Sequence, residues 1–175
     1  ILEASSHGLH QNRLDGLKFK TGIFTNLSHD HLDYHKNIKN YLESKLYLFR
    51  KLLKINSNVI TDSSIPEYKK IKNISLKRKL KINTVDNHNS TLKIISHKYF
   101  NEKQIVKIKY KKYFYNFETN LIGKIQIKNL LMAMLAAKKS NLNFKQIINV
   151  VKNVRPVNGR LEKIGKIKNK SLVVL

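Results

Sequence analysis

The run Gly22-Ile23-Phe24-Thr25-Asn26-Leu27, with the pattern that follows it, decides the fold class. It is short, apolar and bounded by Gly22 and the polar residues 28–30, which is typical of a buried parallel strand. Over residues 37–54, apolar side chains recur every three or four positions and predict one buried face of a helix. Val59-Ile60-Thr61 predicts the next strand, and Pro66 opens a further helix. This order of strands and helices predicts an α/β sheet with functional groups at strand ends.

The rest of the chain predicts more strands and two long helices. We expect Asn56-Ser57-Asn58 to end the helix over 37–54. Four alternating segments predict strands in a small antiparallel excursion: Leu80–Val85, Thr91–His97, Gln104–Tyr110 and Lys112–Glu118. An Ala-rich stretch predicts the centre of a helix at 130–137, and a second helix covers 144–154.

Both ends of the chain are strand-like. Ile1-Leu2-Glu3 is typical of the end of a strand, and Ser171-Leu172-Val173-Val174-Leu175 is typical of the beginning of one. We therefore expect an internal segment of a longer protein, with a domain boundary near residues 165–171.

The charge is strongly positive, with 35 basic against 11 acidic residues and a formal net charge of +24. Such a charge can indicate nucleic-acid binding. The basic residues are spread along the whole chain, however, and lysine outnumbers arginine, the side chain that phosphate recognition favours. We interpret the lysine content as compositional drift and expect no nucleic-acid partner. Cysteine is absent, and no apolar run approaches the roughly 20 residues of a membrane span. These residues show no signal-peptide pattern, which an internal segment could not show, and we expect by default a cytoplasmic protein without a membrane partner.

Lys45 falls on the apolar face of the predicted helix, between Leu42 and Phe49. A buried ammonium group has a lowered pKa, and the neutral amine becomes reactive. The alternative is a lysine that extends its amine past the core into solvent. Spacing alone favours this second interpretation.

A cluster of imidazoles and carboxylates follows the first strand: His29, His31, Asp33 and His35. Imidazole and carboxylate together suit a divalent metal. The cluster nearly matches the His-x-His-x-Asp-His signature of metallo-β-lactamase-type hydrolases, but Tyr34 separates Asp33 from His35. Alternatively, only one histidine is a ligand, and Ser28 or Asp30 caps a short helix.

Polar residues near the start of the chain are candidates for metal and substrate binding. Glu3 is a candidate ligand for Mg²⁺, which prefers carboxylate oxygens and keeps several waters. Four polar side chains are suited to an anionic substrate, namely Ser5, Ser6, Gln11 and Arg13, and arginine pairs well with carboxylate or phosphate.

Three motifs in the first 45 residues together resemble the Mur ligases. They are Glu3-Ala4-Ser5-Ser6-His7-Gly8-Leu9-x-Gln11-x-Arg13, then Phe24-Thr25-Asn26-Leu27-Ser28-x-Asp30-His31-Leu32-Asp33-Tyr34-His35, then Lys45. Two later motifs agree, one from Gly123 to Asn129 and the other from Pro156 to Glu162. The likeness is greatest to the members that add the third amino acid of the peptidoglycan stem.

The resemblance implies a fold and an activity. The fold would be the C-terminal part of the family's central ATP-binding domain over residues 1–165, a mostly parallel sheet flanked by helices, and residues 166–175 would begin the C-terminal domain. The activity would be ATP-dependent addition of an amino acid, expected to be meso-diaminopimelate rather than lysine, to UDP-N-acetylmuramoyl-L-alanyl-D-glutamate through an acyl phosphate. The family's phosphate-binding loop lies upstream of the matched segment, so we expect residues 1–175 alone to be inactive. We also expect the protein to be a monomer.

The resemblance also implies roles for individual residues. Glu3 and His31 would bind Mg²⁺, and Lys45 matches the family's carbamylated lysine, which helps to place a second Mg²⁺. Lys45 and His31 would thus be the catalytic residues. Contacts to substrates would come from five further positions: Ser5, Gln11 and Arg13 for the UDP-muramoyl dipeptide, Asn129 near the adenine of ATP, and Arg160 at its phosphates. Gln126 and Asn158 depart from the residues common in the family.

Two alternatives remain open at the level of sequence. Folylpolyglutamate synthase shares the ATP-dependent ligase core, although the Ser5-Ser6-His7 motif with Gln11 and Arg13 favours a muramoyl substrate. A metal-dependent hydrolase that uses the histidine cluster would act without ATP and would need several imidazole ligands.

Overall fold

The computed structural model describes residues 1–86, 89–100, 103–157, 163–167 and 171–174. The chain divides into two compact units, residues 1–84 and 85–175. Six strands are hydrogen-bonded in the order β1-β2-β3-β4-β5-β6, and two more, β7 and β8, form a separate pair. The first unit holds helices and strands with these bounds: α1 Ser6–His10, β1 Phe19–Phe24, α2 Leu32–His35, α3 Ile38–Tyr47, a π-helical turn Leu48–Leu52, β2 Leu53–Asp62 and α4 Tyr68–Lys77. Strand β3, Lys81–Asp86, runs across the division between the units.

The core of the first unit packs helices against the parallel strands β1 and β2. Leu46, Phe49 and Val59 are among its fully buried members, and each apolar side chain buried in this way contributes about 1.5–3 kcal/mol. Gly22 lies in β1 where a Cβ atom would come within 3.2 Å of the Phe49 ring, so a small residue is required there. The predicted α/β arrangement of this half is confirmed.

The boundary between α3 and β2 differs from the prediction. The helix over 37–54 ends in a π-helical turn, and β2 begins at once at Leu53, so Asn56-Ser57-Asn58 lies inside a strand. The pairing of β1 with β2 shifts register here, because Phe19 pairs with Leu53 but Thr21 pairs with Asn58. Asn56 takes a positive φ of 62°, which asparagine tolerates. The polar residues therefore form a bulge rather than a helix end.

Two further expectations near the start of the chain need correction. Residues 1–5 lie outside any helix or strand, so Glu3 does not end a strand. An extended segment becomes a strand only when a neighbour shares its backbone hydrogen bonds, and none of the described strands pairs with it. The first strand, β1, also begins and ends three residues earlier than the predicted 22–27.

The second unit carries three of the four strands that the sequence predicts for an antiparallel excursion. Strands β4 Leu92–Phe100, β5 Lys103–Tyr110 and β6 Tyr113–Thr119 pair antiparallel. The first predicted segment, Leu80–Val85, corresponds to β3, which pairs parallel with β4, so its assignment to the excursion is wrong. Helices α5 Gly123–Lys139 and α6 Phe144–Val151 follow, and Phe144 stacks on Tyr110 with ring centroids 4.5 Å apart. Strands β7 Lys163–Ile167 and β8 Ser171–Val174 close the described chain. Within the described residues, every helix is too short or too polar to traverse a lipid bilayer.

Candidate functional site

Helix α1 presents two of the predicted substrate-binding residues, one at each end. Ser5 is the N-cap, and its Oγ accepts a hydrogen bond of 3.1 Å from the Gly8 N–H, which satisfies one of the free amides of the first turn. Gln11 is the C-cap. Leu9 is only 2% exposed and anchors the helix in the core. The two exposed polar side chains are thereby held on one short, rigid element.

The two other predicted residues of this segment are both exposed. Arg13 follows α1 and donates its backbone N–H to the Gly8 carbonyl at 2.9 Å, so its side chain starts from a fixed backbone position. Glu3 lies in the irregular segment before α1. No distance places Glu3 against Lys45 or His31, and its role stays a prediction.

The loop that leads into α2 holds His31 in an unusual backbone conformation. His31 has φ 57° and ψ 25°, in the left-handed region, and it is the N-cap residue of α2. The Asp30 carboxylate accepts the His31 N–H at 2.9 Å. Neither Ser28 nor Asp30 caps the helix as the sequence predicts, because the chain turns at His31 and the N-cap makes no side-chain hydrogen bond. The turn leaves the His31 side chain 45% exposed.

Lys45 lies on α3, whose first turn is capped by Asn37 through a 2.8 Å bond from the Asn40 N–H. The Lys45 Nζ lies 5.1 Å from the centre of the Tyr41 ring and 5.5 Å from that of Phe24. It donates a hydrogen bond of 3.0 Å to the Asn26 carbonyl at the end of β1. Burial lowers the pKa of Lys45, while the charges of Asp30 and Glu67 oppose that shift.

This geometry answers the choice that the sequence left open for Lys45. The side chain does not extend freely into water, because its amine lies against two aromatic rings and a backbone carbonyl. A lowered pKa makes the neutral amine more accessible near neutral pH than an exposed lysine amine. The interpretation as a reactive amine therefore has the local environment that it requires.

His31 and Lys45 lie against the same aromatic ring. The ring centres of His31 and Tyr41 are 5.8 Å apart in an edge-on arrangement, and Tyr41 also contacts the Lys45 Nζ. Tyr41 precedes Lys45 by four residues, so both lie on one face of α3. The two predicted catalytic residues, which are fourteen positions apart in sequence, thus share Tyr41 as a neighbour.

The histidine cluster does not form a metal centre. His35 is buried and hydrogen-bonds the Ser6 Oγ at 2.9 Å through Nε2, while Nδ1 lies 3.5 Å from the Ser44 Oγ. Burial, and the nearby His7, His10 and His31, lower the pKa of His35. Across the part of the chain that the structure describes, no three His, Asp or Glu side chains are grouped to hold a metal ion. The hydrolase alternative therefore lacks its ligand set.

Tyr34 is a residue of this site whose role the sequence analysis missed. Its hydroxyl lies 3.0 Å from the His10 Nδ1 and accepts a hydrogen bond of 3.0 Å from the Gln11 Nε2. Its ring packs on His7 with centroids 4.2 Å apart. The available signal was the position of Tyr34 inside the motif, but nothing in sequence places it beside α1, more than 20 residues earlier.

The predicted nucleotide-binding residues belong to the second unit. Asn129 is partly buried on α5, two turns after Gly123, whose φ of 84° suits glycine at the start of the helix. Lys128 beside it lies 4.0 Å from the Asp86 carboxylate. Arg160, like Asn158, lies outside the described residues.

Comparisons with known proteins agree with these motifs. The family model described as the Mur ligase middle domain matches residues 1–137. The UDP-N-acetylmuramoyl-L-alanyl-D-glutamate–2,6-diaminopimelate ligase of Rickettsia bellii is 38% identical over 164 residues, which are 94% of this chain and 34% of the relative. A solved structure of a ligase with the same name superposes with a TM-score of 0.83 at 26% identity, over 95% of this chain and 34% of that one.

A more distant structure shares the fold alone. The MurF ligase of Thermotoga maritima in complex with ADP superposes with a TM-score of 0.75 at 13% identity, over 98% of this chain and 38% of that one. This chain spans about a third of the length of the curated relatives that it matches. With a family model over most of its residues and relatives aligned over more than nine tenths of it, this chain belongs to the Mur ligase family.

Proposed function

We propose that the protein containing this chain is an ATP-dependent ligase that joins meso-diaminopimelate to UDP-N-acetylmuramoyl-L-alanyl-D-glutamate in peptidoglycan synthesis. The observation that carries the proposal is the 38% identity, over almost the whole chain, to a relative named for that reaction. The site described above supports it, because exposed polar groups on α1, His31 and a partly buried Lys45 lie in one unit. Relatives named for this reaction also favour diaminopimelate over lysine as the third residue.

The proposed reaction makes an amide from two groups that do not react unaided. The terminal phosphoryl group of ATP is transferred to the substrate carboxylate, giving an acyl phosphate and ADP. The incoming amine then attacks the carbonyl carbon, phosphate leaves from the tetrahedral intermediate, and the nitrogen loses a proton. Such a reaction asks the protein mainly to position the reactants and to neutralise negative charge.

Lys45 is proposed to carry a carbamate. Its neutral amine would attack CO₂ and lose a proton, which converts a cationic side chain into a carboxylate. The lowered pKa supports this step, because only the unprotonated amine is a nucleophile. The Asn26 carbonyl, which accepts from the Lys45 Nζ, would go on accepting from the carbamate N–H.

Glu3, His31 and the carbamylated Lys45 are proposed to hold Mg²⁺. Mg²⁺ is usually bound by only one or two protein carboxylates, and water molecules and substrate phosphates fill its other coordination positions. This set of donors suits such an ion, because Glu3 and His31 are both exposed and leave room for water and phosphate. When bound, Mg²⁺ supplies positive charge that offsets the charge on the transferred phosphoryl group. The contact of both His31 and Lys45 with the Tyr41 ring supports this assignment.

Separate sets of residues are proposed to bind the two nucleotide-containing substrates. Ser5, Gln11 and Arg13 would bind the UDP-muramoyl dipeptide, since they are exposed around α1 and offer hydroxyl, amide and guanidinium groups. Asn129 would contact the adenine and Arg160 the phosphates of ATP. We assign residues 1–165 to the central domain and 166–175 to the start of the next, in keeping with the family match over 1–137.

The proposal includes a cytoplasmic monomer without a nucleic-acid or membrane partner. A substrate that carries a nucleotide and a dipeptide, with ATP as the energy source, supports a cytoplasmic site of action. Binding to nucleic acid would instead require the spread lysines to form a stripe, which their sequence positions do not favour.

Phosphate release from ATP by the complete polypeptide that contains residues 1–175 tests this function. The assay contains Mg²⁺ and omits, in turn, the UDP-muramoyl dipeptide and diaminopimelate, and a parallel series replaces diaminopimelate with lysine. We expect sustained release only with both substrates and a clear preference for diaminopimelate. Release that is independent of the dipeptide would contradict the proposal.

A further inference from the structure

We propose that Tyr34 is a positioning residue that sets the orientation of the Gln11 amide for the UDP-muramoyl dipeptide, through a hydrogen-bond relay from Gln11 to Tyr34 to His10. The proposal rests on the function proposed above and adds a positioning residue to its substrate site. Its basis is the meeting of three side chains at the Tyr34 hydroxyl.

The relay joins two segments that are distant in sequence. Gln11 and His10 stand at the end of α1, whereas Tyr34 belongs to α2, and each contact to its hydroxyl is 3.0 Å long. The edge of the His10 ring also faces the Tyr34 ring, with centroids 5.5 Å apart. The end of α1 is therefore tied to the loop that carries His31.

The proposed direction of the relay uses the protons available. The Gln11 Nε2 can only donate, so the Tyr34 oxygen accepts there. In the proposed relay, the single proton of the phenol goes to the His10 Nδ1, which acts as the acceptor. The relay therefore requires a His10 ring that carries its proton on Nε2.

The consequence for the substrate is a fixed orientation of the Gln11 amide. One N–H of Nε2 is held by Tyr34, so the amide plane is set and the oxygen Oε1 and the second N–H are left for a ligand. Gln11 would therefore offer the dipeptide substrate one acceptor and one donor in fixed positions. The exposed position of Gln11 leaves both groups accessible.

The ring of Tyr34 allows this role to be separated from folding. It packs on His7 at 4.2 Å and on His35 at 4.8 Å between centroids, and phenylalanine keeps both contacts. Tyr34→Phe therefore removes the relay and little else. Tyr113→Phe is a matched control, because Tyr113 is 54% exposed on β6 and belongs to the other unit.

A double-mutant cycle on the complete polypeptide tests the proposal, with phosphate release as the assay. We expect Tyr34→Phe to raise KM for the UDP-muramoyl dipeptide about 5- to 10-fold, as for one lost hydrogen bond, with kcat and the KM for ATP nearly unchanged. In a Gln11→Ala background, Tyr34→Phe should have no further effect on that KM. Tyr113→Phe should match wild type in both backgrounds.

The outcomes separate this inference from the proposed function. Equal effects of Tyr34→Phe with and without Gln11 would overturn the relay while leaving the ligase intact, since a merely structural role predicts additivity. Wild-type protein without dipeptide-dependent release would overturn the function itself. Nitrogen-15 NMR of the His10 ring then decides the relay independently of activity: a proton on Nε2 in wild type that redistributes in Tyr34→Phe supports it, and a proton on Nδ1 in wild type overturns it.

Discussion

The two units of this chain place lysine beside aromatic rings in contrasting ways. In the first unit, the Lys45 amine is partly buried, 5.1 Å from the Tyr41 ring centre, and donates to a backbone carbonyl. In the second, the amines of Lys107 and Lys109 lie 5.5 and 5.4 Å from the Phe114 ring centre on the exposed face of β5. Ring distance alone does not distinguish these lysines.

The difference lies in what surrounds the amine. Water solvates the exposed ammonium groups of β5, whereas burial disfavours the charged form of Lys45 and lowers its pKa. The chain has a net charge of +24 and abundant lysine. Among the three lysines compared, local burial distinguishes Lys45 as the candidate for a reactive amine. The contrast predicts a graded set of responses to mutation.

The largest expected effect comes from Lys45→Ala. We expect kcat for substrate-dependent phosphate release to fall by about 100- to 1,000-fold, the loss typical of removing a group that stabilises developing charge. Lys107→Ala, which removes an exposed lysine near an aromatic ring, should stay within about two-fold of wild type. Similar losses in the two variants would mean that the contrast between the units has no functional meaning.

The next effect concerns the stability of the second unit. Gln104 is 3% exposed, accepts at Oε1 from His97 and donates through Nε2 to the Leu121 carbonyl, just before α5. Gln104→Ala leaves buried polar groups unpaired, so we expect the free energy of unfolding to fall by about 2 kcal/mol. Gln146→Ala, on an exposed position of α6, should change it by less than about 0.5 kcal/mol. Denaturant titration of both variants measures the difference, and equal values would contradict the role of Gln104.

Asn129→Ala tests whether the second unit contributes to nucleotide binding. We expect KM for ATP to rise about 10-fold, and KM for the UDP-muramoyl dipeptide to stay near wild type, because one polar contact to the adenine is lost. Asn116→Ala on the exposed face of β6 is the matched control. A rise confined to the dipeptide KM would place Asn129 at the other substrate.

The smallest expected effect is the pH dependence that His35 gives to the first unit. Its pKa in the folded state is lowered, so the unfolded chain binds more protons below the ordinary pKa of about 6.5. The stability that neutral, buried His35 provides is therefore complete above that pH and is lost as the pH falls through 6.5 toward the folded pKa. Thermal denaturation from pH 8 to 5 should show a steeper loss for wild type than for His35→Gln, which can still bond Ser6. Parallel curves would contradict the assignment, since the other histidines are common to both proteins.

Sequence patterns predicted most of the fold because hydrophobic periodicity reports local structure directly. The strands β4, β5 and β6 and the helices α5 and α6 lie within a few residues of their predicted positions. The errors fell where local signals compete. Asn56-Ser57-Asn58 has the composition of a helix end, yet the register shift between β1 and β2 absorbs it as a bulge.

Candidate site residues could be chosen from the sequence, but their contacts could not be predicted from it. Lys45 stood out because a lysine on an apolar helical face is costly, and Tyr41 shares that face by spacing. The burial of His35 against Ser6 and the meeting of Tyr34 with Gln11 depend on how α1 packs beside α2. Such long-range packing leaves no periodic signal, and it places His35, a member of the alternative metal cluster, in hydrogen bonds with serine hydroxyls.

Carbon-13 NMR of the complete polypeptide in ¹³C-labelled bicarbonate tests the central claim most directly, namely that the partly buried Lys45 amine is the one that reacts with CO₂. The account predicts one protein-bound carbamate signal in wild type and in Lys107→Ala, and its loss in Lys45→Ala. A signal that persists in Lys45→Ala, or a wild-type protein without a carbamate signal, would contradict it.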